Sequence, residues 1–530
     1  MVRARAIERQ GARAGSRAAS PGWALGLGGV IAVFAIYAAV HALLRLTASQ
    51  NLPQDDVMAV LYSHTLQFAY TQRQPPLYDW LLWAVQQVTG PTLVSFLFIK
   101  YTLLTATGAF VYLAGRRMFG DRAWAALAAF SMVLLYQVGW NIHEGVTHTA
   151  TMMCAIAATF WAFMRVVEDG DWRDYWVFGL SLGLGGLTKY GFAAFVAVLL
   201  LGALLQPAMR VKILSRRMAA SFGLAAAIVS PFALWVILNN HDLALLYSQT
   251  LSEGETGRWR NGLYGAFLTI RRTFIFLSPL VVLVPLIFSG ALSAMRDSLI
   301  EAVRPTKDLD WEKLVLQIAL IAFALMLLGS LLTGASNFRM RYMHPFYLLM
   351  PLWLIAMARK GTRRDWQPKA FVAASLFFAL IVLGARVGYL YVGEKPFCSK
   401  CRQMTPYGAL ADSLSDAGFK SGTIIAGYRH TAGNLRRLFP RARVVTLREP
   451  LIVPPIRPGD KKGQIAVVWD VATEGLAIPQ GADRQVAALG GEIGGRSPQT
   501  VRVAWSHLWR PLGYRKSRWR LIVIDLAPPQ

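Results

Sequence analysis

From residue 23 to residue 391 the chain alternates long apolar runs with short polar segments. A bilayer core about 30 Å thick takes roughly 20 apolar residues per helix. Runs of that kind fall at 23–45, 92–114, 123–138, 148–166, 174–188, 191–206, 218–238, 273–292, 314–333, 343–358 and 370–391, which predicts eleven membrane spans. The runs at 174–188 and 191–206 read either as two helices or as one helix interrupted at Lys189. Charge decides between them, because short cytoplasmic loops are enriched in Lys and Arg. With a cytoplasmic N-terminus and eleven spans, the cytoplasmic pieces hold 22 Lys and Arg, against 8 in the short external pieces. Merging the two runs would move Arg210, Lys212, Arg216 and Arg217 outside and blur that asymmetry. Five arginines precede the first run, as in a signal peptide. That run is longer than a signal-peptide core, however, and no small-residue cleavage pattern follows it, so it is read as a retained first helix.

Past Tyr391 the pattern changes. Short apolar stretches at Thr423–Ala426, Arg443–Leu447, Gln464–Trp469 and Leu521–Leu526 predict buried strands, separated by polar pieces of which Thr431–Phe439 has helical character. The expected organisation is a basic cytoplasmic tail (1–22), a transmembrane domain (23–391) whose first external loop is 46–91, and an α/β domain (392–530). An odd number of spans puts that last domain in the periplasm.

Composition sharpens this picture. Of the 530 residues 55% are hydrophobic and 16% charged, with a net charge of +26; a soluble domain carries about 25% charged residues. Disordered chains and nucleic-acid-binding arms are charge-rich and aromatic-poor, so no nucleic-acid partner is expected, and the bilayer is the main solvent. The segment 392–530 holds 21 Lys and Arg against 10 Asp and Glu, which suits contact with phosphate-rich or acidic glycan. Cys398 and Cys401 form a C-x-x-C just after the last span. A zinc site would want a second such pair, and a redox motif a thioredoxin-like turn. In an oxidising compartment the two cysteines are read as a structural disulfide, with free or catalytic thiols as the alternative.

The first external loop is too long for a plain connector. Asp55 and Asp56 follow Pro53 at the start of a short amphipathic helix. Two readings are open. Acids in a first turn are favoured by the helix dipole, and paired carboxylates at a membrane surface bind a divalent cation or take a proton from a hydroxyl. In the second external loop Glu144 and His148 are four apart, on one face if helical, with His143 beside them. They are either substrate-binding or metal-binding groups, or simply the polar end of a helix. Lys189, with Tyr190, interrupts an apolar hairpin, and Arg339, Arg341 and Tyr342 lie in a later loop. Such cations either snorkel to headgroups or hold an anionic lipid phosphate. The two acids, the Glu/His pair and these cations would all emerge on one side of the membrane. That is the inventory for moving a group from a phosphate-linked lipid to a hydroxyl.

The stretch Gln74-Pro75-Pro76-Leu77-Tyr78-Asp79-Trp80, about twenty residues after Asp55-Asp56, resembles bacterial proteins of glycosyltransferase family 39, which are dolichyl-phosphate-mannose-protein mannosyltransferase-like and include aminoarabinose transferases of lipid A. Gly186-Leu187-Thr188-Lys189-Tyr190-Gly191 is similar to the family's Gly-Leu-x-Lys stretch, and Arg341-Tyr342-Met343-His344-Pro345 to its later Arg-Tyr loop. The similarity spans roughly residues 25–360.

The resemblance implies a polytopic GT-C-like fold and a polyprenyl-phosphate-sugar donor. Sugar would pass, at the periplasmic face of a Gram-negative inner membrane, to a hydroxyl of an envelope lipid, glycan or protein, lipopolysaccharide first. It implies Asp55 or Asp56 as the catalytic carboxylate. Lys189 and Arg341 would hold the donor phosphate, helped by Arg339 and Arg73. A divalent metal near this loop would draw on Asp55, Asp56, Glu144 and His148. Many relatives have Lys before the Pro-Pro pair where this chain has Gln74, which shifts phosphate binding to Arg73, Lys189 or Arg341. The rival classes are a transporter or flippase and a polymerase or ligase using diphosphate-linked glycans. Internal repeats and helices broken mid-membrane would mark the first, and donor preference would separate the second.

Overall fold

The computed structural model describes residues 25–239, 257–336, 339–393, 402–448, 453–461, 463–505 and 515–526, residue 146 excepted. Among them six helices are long and apolar enough to cross a membrane: Leu27–Ala48, Leu93–Phe119, His148–Glu168, Arg216–Leu238, Trp311–Thr333 and Trp366–Val392. Shorter apolar helices at Arg122–Leu134 and Gly191–Leu204 pack among them. Trp172–Gly186, with 15 residues, is also short. At 1.5 Å per residue such helices reach only about 20 Å, so a total of eleven spans depends on counting these pieces as crossings.

The predicted span 273–292 is replaced by a broken path. Helix Arg258–Leu277 occupies much of the stretch read as a loop, and Leu280–Ile287 and Ala291–Ala302 follow it, bent by 118° relative to each other. Pro279 ends the first helix, Pro285 lies inside the second, and Gly290 opens the third. Each proline removes a helical N–H and crowds the preceding turn, which a count of apolar residues does not register. The chain does turn at Lys189, between Trp172–Gly186 and Gly191–Leu204.

Lipid offers no hydrophobic drive between helices, so close backbone approach through small residues substitutes for it. Gly179 and Gly183 face helix Arg216–Leu238, where an added Cβ at Gly179 would lie 2.8 Å from the Ser221 backbone. Ser221 Oγ donates to the Tyr175 carbonyl at 2.7 Å across the same contact. At one end of the bundle Arg117 pairs with Glu168 and Asp169, and Arg165 with Asp174. The opposite end carries the loops that hold the predicted site residues.

There the C-terminal segment forms a five-stranded sheet in the order β2-β1-β3-β5-β4, from β1 (Gly422–Ala426), β2 (Arg443–Thr446), β3 (Gln464–Asp470), β4 (Gln499–Ala504) and β5 (Lys516–Asp525). β1, β2 and β3 run parallel, whereas β5 is antiparallel to both its neighbours. Side chains alternate between faces. Ile425, Val445, Ile465 and Val467 pack under helix Ala482–Ala487, while Ile424, Val444, Ala466 and Val468 face helices Tyr407–Asp416 and Arg429–Leu438. Strand β4 went unrecognised because its alternating Gln-Thr-Val-Arg-Val-Ala pattern contains no continuous apolar run. Cys398 and Cys401 lie outside the described residues; Cys154 is a half-buried free thiol.

Candidate active site

Asp55 and Asp56 sit in the first turn of helix Gln54–Tyr62, which starts at Pro53. That helix is clamped from two sides. Gly145 packs on Pro53, and Gly433 lies so close to Val57 that an added Cβ would stand 2.7 Å from the Val57 carbonyl oxygen. Asn434 Oδ1 accepts from the Leu52 N–H at 2.8 Å, and Asn51 Nδ2 donates to the Thr405 carbonyl at 2.6 Å. The α/β domain therefore holds the strand leading into the two acids.

The pair is split by its surroundings. Asp55 is exposed and opens onto a cavity of about 1890 Å³, beyond the roughly 300–1000 Å³ of an ordinary small-molecule pocket. Asp56 is buried, with one carboxylate oxygen lacking a hydrogen-bond partner among the described residues. Desolvation pushes the Asp56 carboxyl up to about 6, against the pull of Lys100 and Arg45 and with the push of Asp55. Desolvation also raises Asp55, opposed in order by Arg341, Lys189, Lys100 and Arg429. Those four cations thus surround the cavity-facing acid.

Lys189 lines the same cavity and donates to Thr149 Oγ1 at 3.0 Å. Desolvation and then the Arg341 charge bring its ammonium down to about 8, with Asp55 opposing. The Lys189 turn is fixed against the first loop: Tyr190 Oη donates to the Gln72 carbonyl at 2.7 Å and the Leu77 N–H to the Leu187 carbonyl at 3.0 Å. Arg341 lies in the short turn Met340–Tyr342 with its guanidinium 5.5 Å from the Tyr342 ring. Arg73, Gln74, Arg339 and Tyr342 line the cavity as well.

Glu144 and His148 do not share a helix face. Glu144 closes the turn Asn141–His143, Thr147 is non-helical, and His148 begins a new helix. Glu144 accepts from Arg386 at 2.7 Å and from Tyr389 Oη at 2.9 Å, and its carbonyl takes the Lys100 ammonium. His148 instead faces the buried Asp79, 3.6 Å away. His143 stacks on His41 at 3.7 Å and meets the Tyr37 and Tyr101 hydroxyls at 2.7 and 3.0 Å. Both its ring nitrogens are thereby engaged. No group of three His, Cys, Asp or Glu able to hold a metal ion forms among the described residues. Among the described residues Asp55, Asp56, Glu144 and His148 do not converge on one point: Glu144 is held by Arg386 and Tyr389, and His148 faces Asp79.

Sequence reasoning missed Arg45, Lys100 and Arg386, all buried and all lining the cavity. The signal was present: each is a cation inside or at the end of a predicted apolar span, where ionisable groups are functional candidates by default. It also missed Arg402, Arg429 and Arg448, which bring the C-terminal domain into the cavity wall.

This geometry can now be set beside known proteins. The family model described as dolichyl-phosphate-mannose-protein mannosyltransferase matches residues 73–235. The chain is 28% identical over 444 residues to the lipopolysaccharide core galacturonosyltransferase RgtA of Rhizobium johnstonii, covering 82% of this chain and 85% of that protein. It is 23% identical to RgtB of the same organism, another lipopolysaccharide core galacturonosyltransferase, over 83% of this chain and 86% of RgtB. The crystal structure of ArnT from Cupriavidus metallidurans bound to undecaprenyl phosphate superposes with a TM-score of 0.58 at 14% identity, covering 97% of this chain and all of that one. With its apolar helices, small sheet domain and charged cavity, the chain is a multi-pass membrane enzyme that resembles GT-C glycosyltransferases in sequence and shares the ArnT fold.

Proposed function

We propose that this enzyme transfers a sugar from a polyprenyl phosphate to a hydroxyl of lipopolysaccharide, at the periplasmic face of a Gram-negative inner membrane. The observation that carries the reading is Asp55 opening onto one cavity with Lys189 and Arg341, the two cations that act on it most strongly. Asp55 takes the proton of the acceptor hydroxyl as its oxygen attacks the anomeric carbon. The bond from that carbon to the lipid phosphate oxygen breaks in line, and the electron pair leaves with the phosphate. Lys189 and Arg341 stabilise the charge that grows there. Asp56, buried in the same wall beside Lys100 and Arg45, orients the turn that presents Asp55. The inward excess of Lys and Arg supports the orientation. The named acceptor chemistry of RgtA and RgtB makes the lipopolysaccharide core the first acceptor to test, and a hexuronic acid the first sugar.

The test is mass spectrometry of lipopolysaccharide from a deletion strain, complemented with wild type, Asp55→Asn or Asp56→Asn. One sugar mass should disappear on deletion and return only with wild type in full. Complete rescue by Asp55→Asn would remove the catalytic role assigned to that acid.

A further inference from the structure

The cavity wall carries ten Lys and Arg against three carboxylates. One lipid phosphate does not balance that surplus. The cations divide by the part of the fold that supplies them. Arg45 is bound by the Ser49 and Asn51 carbonyls, and Lys100 and Arg386 by Glu144, so these build the frame. Lys189 and Arg341 lie on the membrane-bundle side of Asp55. Arg402, Arg429 and Arg448 come from the α/β domain, on the side facing them.

The sheet topology gives those three a second, independent significance. β1 lies between β2 and β3, all parallel, so the chain leaves β1 in one direction and later returns on its other side. In open α/β sheets ligands bind outside the carboxyl ends of the strands at such a switch point. Arg429 follows the end of β1 by three residues and Arg448 follows β2 by two. Both line the cavity, and Arg429 acts electrostatically on Asp55. The carboxyl edge of the sheet is therefore turned toward the reacting groups. Arg402 joins them through His430, a neutral partner, since burial and the two neighbouring arginines hold that imidazole down to about 3. Arg448 is partly satisfied by the Thr473 carbonyl and the nearby Glu474, and stands at the edge.

Building on the sugar-transfer reading, we infer that Arg402 and Arg429 form an acceptor subsite that reads an anionic group, a carboxylate or a phosphate, next to the hydroxyl being glycosylated. The planar guanidinium fork fits either anion in a bidentate manner. The donor would bind from the bundle side and the acidic acceptor from the sheet side, with Asp55 between them.

The test uses the full-length enzyme in native membranes, with lipopolysaccharide from the deletion strain as acceptor in three forms: untreated, carboxyl-reduced, and dephosphorylated with cold hydrofluoric acid. Wild-type KM for the acceptor should rise about tenfold when the relevant anion is removed, and the form that causes the rise identifies it. Arg402→Gln and Arg429→Gln should show that raised KM with untreated acceptor and lose sensitivity to the treatment, with kcat affected less. Arg429→Lys should recover part of the loss. Arg484→Gln, exposed and outside the cavity, should match wild type. A wild-type KM unmoved by both treatments, or Gln variants within about twofold of wild type, would overturn the subsite while leaving sugar transfer standing. Failure of the parent reading shows separately, as undiminished turnover by Asp55→Asn.

Discussion

At the residue scale, the two adjacent aspartates are unequal because neighbours on a helix point about 100° apart, one to the cavity and one into the wall. In the proposed mechanism Asn at 55 removes the group that takes the acceptor proton, a contribution worth about 10²–10⁴-fold. Asn at 56 keeps that group and loosens its placement, for which a loss of about tenfold to a hundredfold in kcat is expected. Steady-state assay of both variants checks the order. Equal losses would contradict the division of roles. The charges also set a pH window. Both carboxyls are raised, Asp56 to about 6, so ionisation of the pair makes activity rise with pH on the acid side. Lys189 is charged below about 8, so activity falls as pH passes it. A bell-shaped kcat/KM follows, its acidic limb belonging to the coupled pair rather than to one residue. Lys189→Arg, which stays charged, should shift the alkaline limb upward, and a flat profile from about pH 5 to about pH 9 would refute the assignment. Asp55, Asp56, Lys189 and Arg341 were legible because each breaks an apolar pattern or opens a helix. Lys100 and Arg386 lie inside apolar spans rather than loops, where a buried cation is the stronger anomaly.

At the element scale, one glycine sets how closely two helices meet. Gly433 lets Arg429–Leu438 rest on the backbone of Gln54–Tyr62, and any Cβ there collides with Val57. Gly433→Val should cost about 1–3 kcal/mol through overpacking and lower kcat without removing any polar group, because the turn bearing Asp55 is displaced. A thermal-unfolding midpoint in detergent, read beside kcat, checks both effects; unchanged values for the pair would show that the contact can relax freely. Helix periodicity could not foresee this contact. It joins positions 57 and 433, and nothing local in either segment encodes the other. The same limit explains the misread 273–292 run: hydropathy found the apolar residues but not the turns imposed by Pro279 and Gly290. The parallel strands β1 to β3 were legible, since each is built on a short apolar run: Ile424–Ala426, Val444–Val445 and Ile465–Trp469.

Across the whole molecule, the site is a confluence of charges from both the bundle and the sheet domain. Screening lengths shrink from about 10 Å at 0.1 M salt to about 3 Å at 1 M. The KM for a phosphate-linked donor should therefore rise severalfold over that range, with kcat less affected, and a salt-insensitive KM would argue against phosphate capture by these cations. The two-part architecture was visible in the change of pattern after Tyr391. Its consequence for the site was not, because the meeting of Asn51 and Leu52 with Thr405 and Asn434 is a tertiary fact.

That meeting bears on how the enzyme comes into being. The ribosome makes the strand leading to Asp55 early, and the segment that clamps it some 350 residues later. A nascent chain already threaded into the bilayer therefore carries its acids before it has the wall that positions them. Catalytic competence should arrive late in synthesis, after the last spans are laid down, so that a half-made chain carries its acids without turnover.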